Sequence, residues 1–440
     1  MTKFADLGLS PQILSALAAK GYDTPTPIQV QSIPSLIEGR DLCGIAQTGT
    51  GKTAAFALPS IMRLTANPKA RPPGGCRMLV LSPTRELAAQ IAQSFEDYSK
   101  GQRLSVGVVF GGMPIGRQIK MCGAGLDVLV ATPGRLIDLI EQRALNLRHV
   151  EIFVLDEADQ MLDLGFIHAL KQIDRLLPKQ RQSLFFSATM PKTIAELGAR
   201  FLNDPVHVAV TPVASTAERV DQYATFVNQA EKQALLSIVL KNEPIDRALV
   251  FSRTKHGCDR IVKHLAAAGI RSAAIHGNKS QNARTDALDA FKRGDIRILV
   301  ATDIAARGID VSGVSHVFNF DLPNVPEQYV HRIGRTARAG AAGIAVSFVA
   351  GEEKGWLRDI EKLTGVKLQT APLPNDFATK AAALPKPAFV REAPHGGRDA
   401  GRGGRGAPAP TGEKRRFAPK RAPGVGTHRG AVKRSGGGGR

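Results

Sequence analysis

Leu42-Cys-Gly-Ile-Ala-Gln-Thr-Gly-Thr-Gly-Lys-Thr53 decides how this chain is read. Leu42 to Ile45 suits a buried strand, and Ala54-Ala-Phe-Ala-Leu58 beyond the motif suits a helix. Between them a glycine loop ends in Lys52 and Thr53. This is the phosphate-loop arrangement. Thr48, Gly49, Thr50 and Gly51 let backbone N–H groups approach a triphosphate, and the helix N-terminus adds partial positive charge. Lys52 reaches the terminal phosphates, and Thr53 can ligate magnesium. Ala46 stands where the strict pattern has glycine, a place that needs only a small side chain.

One hundred residues on, Ile152-Phe-Val-Leu-Asp-Glu-Ala-Asp159 delivers acidic residues at the end of an apolar strand. Asp156 is placed to hold magnesium, and Glu157 to orient and deprotonate an attacking water. The two motifs together predict hydrolysis of a nucleoside triphosphate.

Further outward, short runs rich in Val, Ile, Leu and Phe alternate with helical patterns. Met78–Leu81, Val106–Phe110, Val128–Val130 and Leu184–Phe186 belong to the first half. Ala248–Phe251, Ala273–Ile275, Ile298–Val300, Val317–Phe320 and Ile344–Phe348 belong to the second. Such runs predict an α/β chain of two doubly wound parallel sheets covered on both faces. Ligands then bind beyond the carboxyl ends of the strands. The expected divisions are a first domain over 1–208, a linker over 209–219, a second domain over 220–370 and a tail over 371–440.

From Lys386 onward, 14 Lys and Arg face three acidic residues, and 20 of 55 residues are Gly or Pro. Low apolar content with like charge cannot offset ordering entropy, so this basic Gly/Arg/Pro-rich tail is expected to be disordered. The whole 440-residue chain carries 59 Lys and Arg against 39 acidic residues, a formal +20, which calls for a polyanion. No run is apolar enough to span a membrane, and Met-Thr-Lys-Phe-Ala-Asp lacks a signal-peptide core, so a cytoplasmic protein is expected. Cys43, Cys76, Cys122 and Cys258 lie far apart, which suggests reduced thiols rather than zinc or disulfides.

Asp156-Glu-Ala-Asp159 and the motifs around it resemble the DEAD-box RNA helicases of superfamily 2, with the likeness running from Phe4 to Arg338. That resemblance implies two tandem RecA-like domains, ATP and Mg2+ as cofactors, and RNA as partner. Gly21-Tyr-Asp-Thr-Pro-Thr-Pro-Ile-Gln29 resembles the adenine-reading element, with Gln29 on the base edge and Phe4, seventeen residues upstream of Gly21, supporting the base. Pro83-Thr84-Arg85-Glu-Leu87, Gly111-Gly112 and Thr132-Pro133-Gly134-Arg135 resemble the family's RNA-backbone motifs. Arginines, a hydroxyl and helix N-termini can read a sugar-phosphate chain without reading bases. Ser187-Ala-Thr189 resembles the element that couples ATP state to RNA binding through the acidic motif and Asp159.

In the second half, Val250-Phe-Ser-Arg-Thr254, Gln281-Asn-Ala-Arg284 and Ala301-Thr-Asp-Ile-Ala-Ala-Arg-Gly-Ile-Asp310 resemble further RNA and ATP motifs. The resemblance makes Arg253, Gln281, Arg284 and Thr302 RNA contacts and Asp310 a ribose contact. His331-Arg-Ile-Gly-Arg-Thr-Ala-Arg338 supplies Arg335 and Arg338 as arginine fingers and His331 as a contact to the acidic motif. Ala337 stands where most of the family has glycine.

The catalytic groups are divided between the two halves, so hydrolysis is expected to require closure. ATP and single-stranded RNA would each favour the closed state, bending one strand and expelling its partner. The implied activity is an RNA-stimulated ATPase that unwinds RNA locally or remodels ribonucleoprotein, in ribosome assembly or RNA turnover. Contacts would be backbone-directed, and the tail would bring ribonucleoprotein or RNA-decay partners. A DNA helicase, an RNA chaperone resting on the tail and an ATP-gated RNA clamp are the competing readings. The short basic tail looks most like the bacterial RhlE subgroup.

Overall fold

The computed structural model describes residues 2–47, 49–210, 220–306, 313–337 and 343–385. The first sheet contains β1 Leu42–Ile45, β2 Cys76–Leu81, β3 Val106–Val109, β4 Leu126–Ala131, β5 Ile152–Leu155, β6 Gln182–Ser187 and β7 Val206–Ala209. The second contains β8 Val220–Phe226, β9 Ala248–Phe251, β10 Ser272–Ile275, β11 Ile298–Ala301, β12 His316–Asn319, β13 Gly343–Val349 and β14 Gln369–Thr370.

Strand order is β3-β4-β2-β5-β6-β1-β7 in the first sheet and β10-β11-β9-β12-β13-β8-β14 in the second. Each position in one sheet has its counterpart seven strands later in the other, and all pairings are parallel. Parallel pairing demands crossovers, and the crossovers are helices that cover both faces.

Successive side chains of a strand point to opposite faces, and the cores divide accordingly. Met78, Val80, Val154 and Phe186 enter one core with Phe56 and Phe95. Leu79, Leu81, Leu155 and Phe185 enter the other with Leu136 and Phe201. In the second sheet Ala248 and Val250 face one cluster, and Leu249 and Phe251 the other. The four cysteines are buried and unpaired, and burial pushes the Cys122 thiol up to about 11.

Three edge or near-edge strands, β7, β8 and β14, are absent from the sequence reading. β7 is half-exposed and β14 is only two residues long, so neither shows a continuous apolar run. The linker expected over 209–219 overlaps the last residue of β7, and residues 211–219 lie outside the described residues.

The folded chain also runs past 370, where the tail was expected to begin. Ala371 N donates to Ala224 O at 2.9 Å, and the helix Phe377–Ala382 lies on the helix Lys232–Asn242. Phe377 enters a core of the second domain. The Phe377 ring, with Ala381 and Leu384 packed beside it, anchors this segment, which composition alone cannot reveal.

Candidate active site

β1 runs into the glycine loop, and the helix Lys52–Ala66 starts at Gly51. Gly51 has φ 92°, a left-handed conformation, and a Cβ there would lie 2.4 Å from Gln29 Nε2. The close approach is a bonded one: Gln29 Nε2 donates to Gly51 O at 3.1 Å, while Gln29 Oε1 accepts from Thr26 N at 2.9 Å. Gln29, expected at the adenine edge, thus braces the phosphate loop. Thr50 Oγ1 donates to Gln47 O at 2.7 Å, closing the turn from within. Phe4 packs in the same core as the helix Pro27–Ile37.

Lys52 and Asp156 meet at the centre, both almost fully buried, with Nζ 3.8 Å from Oδ1. That separation is too long for a hydrogen bond, and Lys52 Nζ has no hydrogen-bond partner among the described residues. Burial pushes the Asp156 carboxyl up to about 7 against the pull of Lys52. Glu157 follows at φ 53°, a strained conformation for a residue with a side chain, and its N–H donates to Asp156 Oδ1 at 3.0 Å.

Asp159 Oδ2 accepts from Ala188 N, Thr189 N and Thr189 Oγ1, each at 3.1 Å. Ser187 O in turn accepts from Ala46 N at 3.0 Å. The Ser187–Thr189 turn therefore holds the acidic motif with one end and the phosphate loop with the other.

A second cleft of about 440 Å³ is lined from the first domain by Pro83, Thr84, Arg85, Gly111, Thr132, Gly134 and Arg135. Arg284 and Ile304 line it from the second domain. Arg85 lies across Gly112, where a Cβ would stand 2.1 Å from Nη1, and the left-handed φ of 84° there favours glycine. Arg135 Nη1 donates to Met113 O at 3.2 Å. Thr84 caps its helix, accepting from Leu87 N at 3.3 Å, and Pro133 opens the next helix after Thr132.

Glu86, which the sequence reading gave no role, bridges the two domains. Its Oε2 accepts from Arg284 Nη2 at 2.8 Å and its Oε1 from Gln281 Nε2 at 3.0 Å. Gln281 Oε1 then accepts from Arg85 Nη1 at 3.2 Å. Three candidate RNA residues from both domains are thereby assembled around one buried carboxylate. The available signal was an acid inside an otherwise cationic motif. Burial, then Arg284, hold the Arg85 guanidinium below its usual range. Arg284 Nε, like Lys52 Nζ, is a buried cationic donor with no bond among the described residues.

Other candidates lie elsewhere. Arg253 does not line this cleft: its guanidinium donates to Leu322 O at 3.2 Å and Glu353 Oε1 at 2.9 Å. It also stacks 4.5 Å from the centroid of Trp356, turned toward the ends of β12 and β13 rather than toward Gln281. Thr302 precedes the short helix Asp303–Ala306, whose Ile304 reaches the cleft. Arg335 is buried, and His331 stands in the helix Pro326–Ile333 leading to it. Ala337 adopts φ 53°, a left-handed conformation that explains the glycine usual there. Thr48, Asp310 and Arg338 lie outside the described residues.

A phosphate loop, an acidic strand end and a cationic cleft shared by two RecA-like domains define a nucleoside-triphosphate-driven nucleic-acid motor. The DEAD/DEAH box helicase model matches residues 26–197, and the helicase conserved C-terminal domain model matches residues 230–340. An ATP-dependent RNA helicase CshA of Limosilactobacillus reuteri is 44% identical, over 83% of this chain and 73% of its own. CshA of Geobacillus kaustophilus is 43% identical, over 84% of this chain and 78% of its own.

Among solved structures, Dbp5 of S. cerevisiae bound to RNA and ADP BeF3 is 29% identical. It superposes with a TM-score of 0.76 over 87% of this chain and 99% of its own. Mss116p bound to ssRNA and AMP-PNP is 26% identical, with a TM-score of 0.77 over 87% of this chain and 81% of its own. The chain belongs to the DEAD-box ATP-dependent RNA helicases. It is an RNA-stimulated ATPase that binds and unwinds RNA. These relatives carry the name CshA, so the RhlE subgroup expected from the tail gains no support from them. That expectation rested on a short basic tail behind a two-domain core, and tails diverge easily.

Proposed function

We propose that ATP is bound in the first domain and hydrolysed only when RNA draws the second domain's arginines onto it. The carrying observation is the pair of buried donors without a bond among the described residues, Lys52 Nζ on the phosphate side and Arg284 Nε on the cleft side. Both charges already face a carboxylate, Asp156 and Glu86, but a buried donor is costly while it lacks a hydrogen bond, and phosphate oxygens would supply one to each atom. Likeness to Dbp5 and Mss116p in RNA- and nucleotide-bound forms supports reading this arrangement as the closed one.

In this reading Lys52 and the N–H groups of Gly49 to Gly51 hold the β- and γ-phosphates, and Glu157 takes the proton of the attacking water. Arg335 and Arg338 meet charge on the transferred phosphoryl group, and Asp310 meets the ribose. The site also suits magnesium: the desolvated Asp156 carboxylate gains from a cation, and Thr53 adds a hydroxyl. Magnesium bound there would neutralise charge on the phosphates.

Ser187, Thr189 and His331 relay the nucleotide state, while Arg85, Arg135, Thr132, Thr302, Gln281 and Arg284 grip the RNA backbone. No helix among the described residues is long and apolar enough to cross a membrane, and a cytoplasmic setting is part of the proposal.

The test is ATP turnover with RNA, with DNA of the same sequence and with neither. Acceleration by RNA alone is expected, and equal rates in all three would reject coupled closure. The cationic tail is proposed to tether RNA through counterion release. Truncation after Leu384 should therefore keep the maximal rate, raise the RNA needed for half-stimulation and flatten its salt dependence. An unchanged RNA requirement would instead point to protein docking.

Gln29→Ala is expected to erode preference for ATP over GTP. Part of the loss will also fall on turnover, because the same amide braces Gly51. Competition of GTP with ATP in the variant measures the first effect, and unaltered selectivity would remove Gln29 from the base edge.

A further inference from the structure

Two residues inside the helicase motifs have no part in that reading: Asp303, beside Thr302, and Arg332, three residues before Arg335. The structure joins them. Arg332 is buried, and its Nη2 donates to Asp303 Oδ2 at 2.8 Å and its Nε to Asp303 Oδ1 at 2.5 Å. Its Nη1 donates to Asp321 O at 2.6 Å and Asn319 Oδ1 at 3.2 Å. The guanidinium also lies 5.1 Å from the centroid of the Phe251 ring. One planar fork fastens the ends of β9, β11 and β12 to the helix that leads into Arg335.

The short helix Asp303–Ala306 presents neighbouring residues to two places. Ile304 is 60% exposed and lines the cleft with Arg85, Arg135 and Arg284. Asp303, the residue before it, turns away from the cleft onto Arg332. A bidentate pair cannot slide without breaking both bonds, so displacement of this single turn must carry Arg332 with it. Stability alone does not call for such a pair, since well-packed apolar residues often hold a core as well as buried charges do. What apolar packing lacks is a fixed geometry.

We propose that Asp303 and Arg332 are a positioning pair that transmits RNA occupancy of the cleft, sensed at Ile304, to the alignment of Arg335. The inference rests on reading Arg335 as the arginine that meets the transferred phosphoryl group. Without RNA the turn holds Arg335 off line. With RNA against Ile304, the fork sets the finger helix.

Asp303→Asn in the full-length protein tests this, because it keeps the size of the side chain while removing one acceptor of the bidentate pair. Affinity for ADP without RNA, and for RNA without nucleotide, should each stay within about twofold of the parent, while kcat at saturating RNA falls at least about tenfold. Arg332→Lys should move in the same direction by less. Asp303→Asn turning over like the parent would overturn the proposal, as would equal losses in both affinities and kcat, which mark a merely structural pair.

Ile304→Ala lies on the surface and decides the matter should Asp303→Asn not fold. Its kcat at saturating RNA should drop more than its RNA half-saturation rises, and an unchanged kcat would refute transmission. Arg335→Ala, run in parallel, separates the two readings. Full turnover in that variant removes the finger whatever Asp303→Asn does. Loss there with a parental Asp303→Asn keeps the finger and discards the pair.

Discussion

Glu157→Gln should lower RNA-stimulated turnover by about 10²- to 10⁴-fold, the usual worth of a positioned general base. Binding should survive. The amide is nearly the same size, and the Glu157 N–H to Asp156 bond belongs to the backbone, so the acidic turn keeps its shape. Lys52 and the phosphate loop are untouched, so ATP affinity should change little. Because reopening follows hydrolysis in this cycle, the variant should also hold RNA longer once ATP is added. Single-turnover hydrolysis and RNA dissociation after ATP addition measure the two effects. A variant that hydrolyses at the parental rate would remove Glu157 from proton transfer.

Arg335→Ala should cost about 10³- to 10⁵-fold in kcat, the range over which arginine fingers act in phosphoryl transfer. The residue belongs to the second domain and ATP to the first, so nucleotide affinity measured without RNA should stay close to the parent. RNA should still bind the cleft, where Arg85, Arg284 and Gln281 are unaltered. The signature is therefore loss in kcat with small change in either binding constant. A comparable loss in ATP affinity would mean that Arg335 acts before the transition state. Arg335→Lys should recover only part of the rate, since a point charge cannot reproduce the planar fork.

Much of the site was legible because its chemistry is local. Gly49, Gly51, Lys52 and Thr53 lie on one loop and one helix end, and Asp156 and Glu157 at one strand end. Within each motif, spacing along the chain then sets spacing in space. Arg85 was legible as a cation, but its seat over Gly112 was not. Arg253 was legible as a cation, but not its contacts with Glu353, 100 residues away, and with Trp356. The domain boundary was not legible either, since it depends on Phe377, Ala381 and Leu384 packing against a core assembled from distant residues.

The sequence by itself determined two parallel sheets, because strands buried on both faces must be continuous apolar runs. It also determined the triphosphate chemistry, because that chemistry needs glycine, lysine and acid at fixed spacings. Only the tertiary structure decided which charged side chains pair across the chain. Glu86 meets Arg284 across 198 residues, and Arg332 chooses Asp303 among many carboxylates. A guanidinium carries five donors and no pattern in the chain says where they go; the partner is whichever acceptor the packed sheets bring within about 3 Å.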